Sequence, residues 1–419
     1  MRRYFGTDGV RGVVGETITA DLVERLGRAT TTWARARRVF VGRDTRGSGP
    51  ELEEALVRGI QSAGATAVLG GVLPTPAVAL SGLDLGVIIS ASHNPPEYNG
   101  VKFFDSRGHK LSDAAEEEIE ALLGAPATGD GKVERAENQA EVYVEHVCKH
   151  FGSDLSSLRI AVDCANGAYS AIAPRVFERL GAEVHAIFNA PDGTNINVGC
   201  GATDTAALAR VVVDGKLDLG IAFDGDGDRM LAVDEHGDLV DGDQIVAVLA
   251  LDLDIDLVAV TQMTNHGFHS LMRERGIRVL TTDVGDRYVL EALWREDGLL
   301  GGEQSGHVIY LRDHVSGDGL TAALLLCAAL HGRPLSEAAA VMPRWAQCKE
   351  NVRVASKALT PGVRTAVERL NRELGESGRV LVRPSGTEPL IRVLAEAESA
   401  DIAREACATL AALVRNELG

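Results

Sequence analysis

The sequence lacks the features that mark secreted, membrane-spanning and zinc-binding proteins. Its six cysteines form no CxxC pair, so neither a zinc site nor a disulfide framework is indicated, and a reducing compartment is the simple interpretation. The longest apolar run, Leu320 to Leu330, is too short to span a bilayer and predicts a buried helix. The N-terminus has no apolar stretch after its two arginines, unlike a signal peptide. We therefore expect a cytoplasmic protein that does not enter the membrane.

Runs of positive charge and coiled-coil heptads are also missing. The 419 residues carry a formal net charge of −18, and no run of lysine and arginine is longer than a pair. Such a chain binds nucleic acid poorly unless it carries a local basic patch. We therefore expect no nucleic-acid partner, and an anionic small-molecule substrate would need local arginines. Without heptads, the sequence leaves open whether the chain is a monomer or a homodimer.

Strand-like and helix-like segments alternate along most of the chain, which predicts an α/β fold. Leu257 to Thr261 reads as a strand and Asp286 to Glu296 as a helix, and Thr19 is placed to cap an early helix. Three successive α/β units of similar size precede a smaller unit of α+β character. We place the four domains at residues 1–150, 151–252, 253–343 and 344–419.

Three aspartates at alternate positions form the most informative motif, Asp224-Gly225-Asp226-Gly227-Asp228-Arg229. Clustered carboxylates repel one another unless a cation joins them, and Mg²⁺ and Ca²⁺ both prefer oxygen ligands. The glycines let the backbone turn so that the three side chains converge. Arg229 beside such a site indicates that a second anion, such as a phosphate, also comes there.

Two other interpretations of this motif stay open. A calcium loop carries a bidentate glutamate at about its twelfth position, and Glu235 stands there counted from Asp224. Arg229, however, occupies the place where that loop needs glycine. A solvated acidic turn is the other interpretation, although strand-like runs on both sides are unusual for such a turn. The motif alone separates neither Mg²⁺ from Ca²⁺ nor catalysis from structure.

Two polar loops carry residue types suited to substrate binding. Ser90 to Pro95 follows an apolar strand, the position where α/β proteins place ligands, although Asn94-Pro95 also makes an ordinary turn. A Ser–His hydrolase site is not supported, because the G-x-S-x-G pattern is absent. Gly301 to His307 offers Glu, Ser and His, whose donors and acceptors suit sugar hydroxyls.

Two further loops carry arginine among small residues. Arg383 to Pro389, with Arg392 just beyond, combines the groups of a phosphate cradle, but it also fits a β-hairpin turn with two surface arginines. Gly6 to Gly12 is a glycine-rich loop whose single arginine, Arg11, could meet a phosphate.

Together, and in this order, the five motifs resemble the α-D-phosphohexomutase superfamily along the whole chain. The segments that carry the resemblance are FGTDGVRG (Phe5 to Gly12), SASHNP (Ser90 to Pro95), DGDGDR (Asp224 to Arg229), EQSGH (Glu303 to His307) and RPSGTEP (Arg383 to Pro389). The resemblance implies three similar α/β mixed-sheet domains and a smaller C-terminal α+β domain around a central cleft. It also implies an isomerase that moves a phosphoryl group within a sugar phosphate.

The resemblance also implies a role for each motif residue. Ser92 becomes the phosphoserine, and its phosphate would hold one Mg²⁺ together with Asp224, Asp226 and Asp228. The residues around the transferring phosphoryl group would be Arg11, Lys102 and Arg229, with Lys102 a candidate proton shuttle. Sugar hydroxyls would be bound by Glu303 and Ser305, with His307 close by. The non-reacting phosphate would be held by Arg383, Ser385, Gly386, Thr387 and Arg392.

Within the superfamily, the chain is most similar to the enzymes that act on glucosamine phosphates and supply cell-wall precursors. The implied reaction interconverts glucosamine 6-phosphate and glucosamine 1-phosphate, with glucosamine 1,6-bisphosphate as intermediate and activator. Gln304 favours the amino sugar, whereas Pro96, Glu97 and Ser316 depart from the usual pattern and leave the preference open. A phosphomannomutase or phosphoglucomutase and a non-catalytic phosphosugar-binding protein are the alternatives.

Overall fold

The computed structural model describes residues 3–6, 8–385 and 389–419. The chain divides into two compact units, Met1–Met263 with Ile277–Val341 and Thr264–Gly276 with Met342–Gly419. Within the described part of the chain, no helix is both long enough and apolar enough to cross a membrane.

The first sheet belongs to the first unit and is a mixed sheet. Its elements, with the helices between them, are β1 (Val10–Val13), α1 (Ala20–Ala34), β2 (Arg38–Arg43), α2 (Gly49–Ser62), β3 (Thr66–Val72), α3 (Thr75–Ala79), β4 (Leu85–Ile89), β5 (Tyr98–Asp105), α4 (Asp113–Ala121), β6 (Val133–Arg135) and α5 (Gln139–Phe151). The strand order is β1-β5-β4-β2-β3-β6, and β5 runs antiparallel to both of its neighbours. Helices α1 and α2 pack together in an apolar core with this sheet. Thr19 caps α1 as predicted, because its Oγ1 accepts from Leu22 N at 3.2 Å.

The second sheet has the order β11-β10-β9-β7-β8. Its elements are β7 (Arg159–Asp163), α6 (Ala173–Arg179), β8 (Glu183–Ile187), α7 (Ala206–Gly215), β9 (Leu219–Phe223), β10 (Met230–Asp234), β11 (Leu239–Val240) and α8 (Gly242–Asp252). Every residue of β9 and β10 is buried. The apolar runs on either side of the acidic motif are therefore two core strands.

The third sheet has the order β13-β12-β14-β15. Its elements are β12 (Leu257–Thr261), α9 (His266–Glu274), β13 (Arg278–Thr282), α10 (Asp286–Glu296), β14 (Leu300–Gly302), β15 (Val308–Tyr310), α11 (Gly319–Ala329) and α12 (Leu335–Ala339). Of these, α9 belongs to the second compact unit. The predicted strand Leu257–Thr261 and helix Asp286–Glu296 are confirmed at both ends. The apolar run after Gly319 forms the buried helix α11, as expected.

The second compact unit contains an antiparallel sheet in the order β16-β18-β17. Its elements are β16 (Ala346–Arg353), α13 (Pro361–Leu374), β17 (Gly378–Pro384), β18 (Leu390–Ala397) and α14 (Ala400–Leu418). Helices α13 and α14 share an apolar core with the sheet. The predicted fold class, mixed α/β followed by α+β, is confirmed. The predicted domain boundaries stay a prediction.

Candidate active site

Three loops of the first compact unit carry most of the predicted site residues. Each loop connects two neighbouring antiparallel strands, from β4 to β5, from β9 to β10 and from β14 to β15. In each case the first strand of the pair also has a parallel neighbour, which is β2, β7 or β12. The three sheets therefore present structurally equivalent loops.

The loop from β9 to β10 holds the acidic motif in a tight hairpin connection. Gly227 supplies the positive φ of 77° that the turn needs. The backbone N–H groups of Gly227 and Arg229 both donate to Asp224 Oδ1, at 3.1 and 3.2 Å. Asp224, Asp226 and Asp228 are buried, and their ligand oxygens lie within 4.8 Å of one another.

This aspartate triad could hold a metal ion. Burial, reinforced by repulsion from Asp226 and Asp228, raises the pKa of Asp224 well above its ordinary value. Among the residues that the structure describes, Asp226 Oδ1 and Asp228 Oδ1 have no hydrogen-bond partner although both atoms are buried. Buried oxygens without partners, next to a carboxyl group that resists ionisation, fit a hard divalent cation.

The calcium-loop and solvated-turn interpretations both fail. A calcium loop joins two helices, whereas strands flank this motif. Glu235, which would have been the bidentate ligand, instead accepts from Ser336 N at 3.3 Å and from Ser336 Oγ. Burial of all three aspartates excludes a solvated turn.

Ser92 lies in the loop from β4 to β5 and points at the triad. Its Oγ donates to Asp224 Oδ2 at 2.5 Å and lies 3.3 Å from His93 Nδ1. Its backbone is left-handed (φ 52°), which is uncommon for a residue with a Cβ. Gly225 permits the close approach of the two loops, because a Cβ at that position would stand 2.7 Å from Ser92 O. The structure therefore brings Ser92 and Asp224 into direct contact.

Two arginines flank this contact. Arg11 lies on β1 and pairs with Asp8, and Arg229 follows the triad directly. The Nε atoms of both arginines are buried and have no hydrogen-bond partner in the described part of the chain. Burial, together with the charges of Arg229 and Arg11, lowers the pKa of His93 to about 4. Both positive charges thus act next to Ser92, where guanidinium groups suit a phosphoryl group.

Lys102 on β5 links the triad to a further carboxylate. Its Nζ lies 2.7 Å from Asp226 Oδ2, 3.0 Å from Asp228 Oδ2 and 3.1 Å from Asp8 Oδ2. Burial alone would lower the pKa of Lys102, but the three carboxylates outweigh burial and raise it. Lys102 therefore carries its proton in this arrangement.

Further ion pairs close a ring of alternating charges beside the triad. In order, the ring contains Asp228, Lys102, Asp8, Lys110, Asp286 and His307, which returns to Asp228. Lys110 Nζ is 2.7 Å from Asp8 Oδ1 and 2.5 Å from Asp286 Oδ2. The ring joins residues from all three sheets of the first unit.

His307 is the histidine of this ring. Its Nε2 lies 3.1 Å from Asp286 Oδ2, without the alignment of a hydrogen bond, and its Nδ1 lies 3.8 Å from Asp228 Oδ1. Burial opposes its positive charge, but Asp286 and Asp228 prevail and raise its pKa to about 10. A protonated imidazole therefore stands between the triad and α10.

Three residues of the ring escape prediction from the sequence. Asp8 stands within the FGTDGVRG motif, so its carboxylate was an available signal beside Arg11. Lys110 and Asp286 offer no local signal, because their contact joins positions 176 residues apart. Only the packing of α10 against the first sheet's loops brings the two together.

The loop from β14 to β15 forms one wall of a cleft in the first unit. Glu303 Oε1 accepts from Gly285 N at 3.1 Å, and Ser305 Oγ lies 3.5 Å from Glu303 Oε2. The cleft has a volume of about 450 Å³ and is lined by His93, Arg229, Thr261, Met263, Val284, Glu303, Gln304 and Ser305. The cleft extends from His93, the residue after Ser92, to the predicted sugar-binding loop, and its size suits a small-molecule ligand.

The predicted phosphate loop lies in the second compact unit. Arg383 on β17 and Arg392 on β18 are direct cross-strand partners, so two like charges share one face of the sheet. Ser385 N donates to Leu390 O at 2.9 Å, and Lys357 Nζ donates to Ser385 O at 3.0 Å. Gly386 and Thr387 lie outside the described residues. Three cations near one turn form a suitable receptor for an anion.

The fold and the site define a class of protein. A buried serine touches a triad suited to a divalent cation, guanidinium groups with spare donors lie beside it, and a cleft with both polar and apolar lining residues opens next to it. These are the features of an enzyme that transfers phosphoryl groups by charge neutralisation and positioning.

Comparison with known proteins identifies the family. The four domains of phosphoglucomutase/phosphomannomutase match in order: α/β/α domain I at residues 2–128, α/β/α domain II at 141–237, α/β/α domain III at 241–345 and the C-terminal domain at 350–413. The chain belongs to the phosphoglucomutase/phosphomannomutase family, whose members are phosphohexomutases.

Individual relatives cover nearly the whole chain. A protein named phosphoglucosamine mutase from Pelotomaculum thermopropionicum is 50% identical, with 99% of both chains covered. Another of that name from Mycolicibacterium paratuberculosis is 48% identical over 99% of both chains. A solved phosphoglucomutase/phosphomannomutase family protein from Burkholderia thailandensis is 25% identical with a TM-score of 0.85, covering 100% of this chain and 99% of its own.

A more distant solved structure shares the fold alone. It is Aspergillus fumigatus N-acetylphosphoglucosamine mutase in complex with GlcNAc-6P and magnesium, 19% identical with a TM-score of 0.72. The match covers 99% of this chain and 96% of that chain.

Proposed function

We propose that this protein interconverts glucosamine 6-phosphate and glucosamine 1-phosphate, the activity of a phosphoglucosamine mutase. The observation that carries the proposal is the contact of Ser92 Oγ with Asp224 of the buried triad at 2.5 Å, beside a cleft of ligand size. The name shared by relatives at about half identity over the whole chain supports the amino sugar as substrate.

The reaction takes two balanced phosphoryl transfers. In the first, the O1 hydroxyl of glucosamine 6-phosphate attacks the phosphorus of phospho-Ser92, the P–Oγ bond breaks, and the hydroxyl proton passes to Oγ. Before the second transfer, the 1,6-bisphosphate reorients so that its 6-phosphoryl group faces Ser92. Ser92 Oγ then attacks this group, the P–O6 bond breaks, and the proton returns to O6. Phospho-Ser92 is regenerated, and glucosamine 1-phosphate leaves. Neither step consumes water.

The residues around Ser92 fit the demands of this chemistry. The phosphate on Ser92 and the carboxylates of Asp224, Asp226 and Asp228 would hold Mg²⁺, which when bound neutralises charge that develops on the phosphoryl oxygens. Arg11 and Arg229 direct spare N–H groups to the same charge. We assign the proton transfer between sugar and serine to Lys102.

The sugar must bind in two orientations that exchange O1 and O6. We assign its ring hydroxyls to Glu303 and Ser305, because these two residues line the cleft and can accept and donate. His307 ends the same loop, but it is buried in the ring of charges and does not line the cleft. We assign the phosphate that is not reacting to Arg383, Ser385, Gly386, Thr387 and Arg392. A fixed phosphate receptor and a separate reacting centre let one site serve both orientations.

Two further assignments follow the same reasoning. Glucosamine 1,6-bisphosphate is the proposed activator, since an intermediate that escapes leaves Ser92 without its phosphate. The cytoplasm is the proposed compartment, which agrees with the six cysteines all being free thiols.

A substrate panel tests the proposal. Purified protein with Mg²⁺ and a hexose 1,6-bisphosphate is given glucosamine 6-phosphate, mannose 6-phosphate or glucose 6-phosphate, and product formation is followed by coupled assay. The highest kcat/KM is expected for glucosamine 6-phosphate. Equal or faster turnover of mannose or glucose phosphate would reassign the enzyme within the family. Full activity of Ser92→Ala would exclude the phosphoserine mechanism, and no turnover of any sugar would leave a binding protein.

A further inference from the structure

Arg46 lies beneath the Ser92 loop and has no part in the steps described above. Its side chain is fully buried. Nη2 donates to the carbonyls of Ser92 (2.9 Å) and Asn94 (2.8 Å), and Nη1 donates to those of Pro95 (2.5 Å) and Tyr98 (2.9 Å). One guanidinium thus holds three carbonyls of the loop and a fourth at the start of β5. A planar five-donor group can do this, whereas a lysine ammonium has three donors and a different geometry.

Asp44 connects this guanidinium to the other side of the Ser92 peptide. Its Oδ2 accepts from Arg46 Nε at 2.9 Å and from Ser90 Oγ at 2.6 Å. Ser90 Oγ in turn accepts from Ser92 N at 2.9 Å. The N–H and the C=O of Ser92 are therefore both tied, through side chains, to the same buried ion pair.

The backbone held in this way is one that Ser92 would rarely adopt by itself. A left-handed φ of 52° brings Cβ close to the backbone, so a non-glycine residue keeps it only when its surroundings fix it. Asn197 reinforces the arrangement, because its Nδ2 also donates to Ser92 O at 2.8 Å and to Asn94 O at 3.0 Å. With this backbone, Oγ reaches Asp224 Oδ2 at 2.5 Å.

We infer that Arg46 is a positioning residue for phosphoryl transfer: its guanidinium fixes the Ser92 loop so that Oγ stands at the metal triad. The inference rests on the proposed function insofar as Ser92 is the group that carries the phosphoryl. It assigns Arg46 no contact with substrate. Removing the guanidinium should therefore slow the chemical step while leaving sugar binding nearly unchanged.

Arg46→Lys keeps the charge beside Asp44 but cannot hold four carbonyls. Misplacement of a reacting group by about 1 Å costs about 10²-fold in rate, and we expect kcat to fall by that order. The KM for glucosamine 6-phosphate should change by less than about threefold, the pattern of a lost transition-state interaction. The rate at which glucose 1,6-bisphosphate phosphorylates Ser92, measured by intact mass, should fall with kcat.

Two further variants keep the inference testable. In Asn197→Gly, glycine tolerates the left-handed backbone at this position (φ 60°), and the variant loses the bonds from Asn197 Nδ2 to two of the carbonyls that Arg46 also holds. A loss of about 10-fold in kcat with unchanged KM is expected, even if Arg46→Lys does not fold. Arg159→Lys is the matched control. Arg159 also donates to two carbonyls, of Lys216 and Gly215, but far along the chain from the Ser92 loop. This control should keep wild-type kcat.

The inference would be overturned if either Arg46→Lys or Asn197→Gly folds and its Ser92 is phosphorylated at the wild-type rate. So would a change confined to KM, or an equal loss of kcat in Arg159→Lys. Because phosphorylation of Ser92 is read by mass without the sugar assay, failure of the proposed substrate would leave this test intact. Lack of any phosphate on wild-type Ser92 would refute the proposed function instead.

Discussion

Asp224→Asn should have opposite effects on two properties: it should raise the stability of the metal-free protein and weaken metal binding. Without a metal ion, the ligand oxygens of the three aspartates lie within 4.8 Å of one another. At that separation, with an effective dielectric constant of about 20, each repulsion on Asp224 is worth about 3 kcal/mol. Asparagine keeps one acceptor oxygen for the N–H groups of Gly227 and Arg229, but it loses the second oxygen, which accepts from Ser92 Oγ, and the attraction of Arg229. We therefore expect the variant to be more stable than the wild type in EDTA, by about 1–3 kcal/mol.

The pH dependence of stability should reflect the same repulsion on Asp224. The pKa of Asp224 is raised in the folded protein by burial and by Asp226 and Asp228, so the folded state binds more protons than the unfolded chain above about pH 4. The contribution of Asp224 to stability without metal therefore falls as the pH rises from the ordinary carboxyl range toward the raised pKa. From about pH 4.5 to 6, His307 is mostly protonated in both states and contributes little. In that window, the stability of the wild type should decrease more with pH, or increase less, than the stability of Asp224→Asn.

Thermal unfolding in EDTA and in excess Mg²⁺ measures both effects. Wild-type protein at a Mg²⁺ concentration of about 100 Kd should gain about 2.7 kcal/mol, whereas the variant should gain little. Asp234→Asn is the control, since Asp234 is buried at the end of β10 and binds backbone N–H groups of His236 and Asp238 outside the triad. If Asp224→Asn is less stable than the wild type in EDTA, or if Mg²⁺ stabilises both proteins equally, the repulsion argument is wrong.

Two of the next three perturbations test other parts of the site, and one tests a buried hydrogen-bond cluster around Asp318, the residue that caps α11. Gly225→Ala sets a Cβ 2.7 Å from Ser92 O, so kcat should fall by about 10²-fold in a protein that still folds; wild-type kcat would contradict the close approach of the two loops. Asp318→Ala should destabilise the protein by about 3 kcal/mol or more, because Tyr143, Tyr169 and His314 all bond to its carboxylate; chemical denaturation that finds no loss would refute this. Arg383→Ala should raise the KM for the sugar phosphate about 10-fold or more while Ser92 phosphate hydrolyses at the wild-type rate; steady-state kinetics with unchanged KM would remove Arg383 from the phosphate receptor.

The order of elements was accessible from the sequence because it rests on local patterns. The strand Leu257–Thr261 and the helix Asp286–Glu296 each follow from a few consecutive side chains, and both ends of each are confirmed. The acidic motif was equally accessible, since three carboxylates in five positions favour a cation site before the fold is known, although only the structure excluded a solvated turn. The role proposed for Ser92 came only from the resemblance to a family, because a serine after a strand has no distinctive chemistry.

What escaped prediction depends on contacts between distant parts of the chain. Arg46 acts through carbonyls some 46 to 52 positions away, and backbone carbonyls leave no trace in a sequence. Lys110 and Asp286 meet only because α10 packs beside the first sheet. The opposition of Arg383 and Arg392 depends on strand register, which the sequence does not reveal.

The loops that follow β4, β9 and β14 occupy the same place in three sheets, and this explains how residues of several chemical types meet in one site. Each loop turns the chain between a strand with a parallel neighbour and an antiparallel strand beside it. A short antiparallel connection leaves little freedom, so each loop delivers its side chains from a rigid base. The charges then interlock, since the ring through Lys102 and His307 ties residues of the first and third sheets to Asp228 of the second. A displacement of any one sheet would leave buried charges unpaired, and the free-energy penalty of unpaired buried charges therefore favours the arrangement in which the three loops lie together.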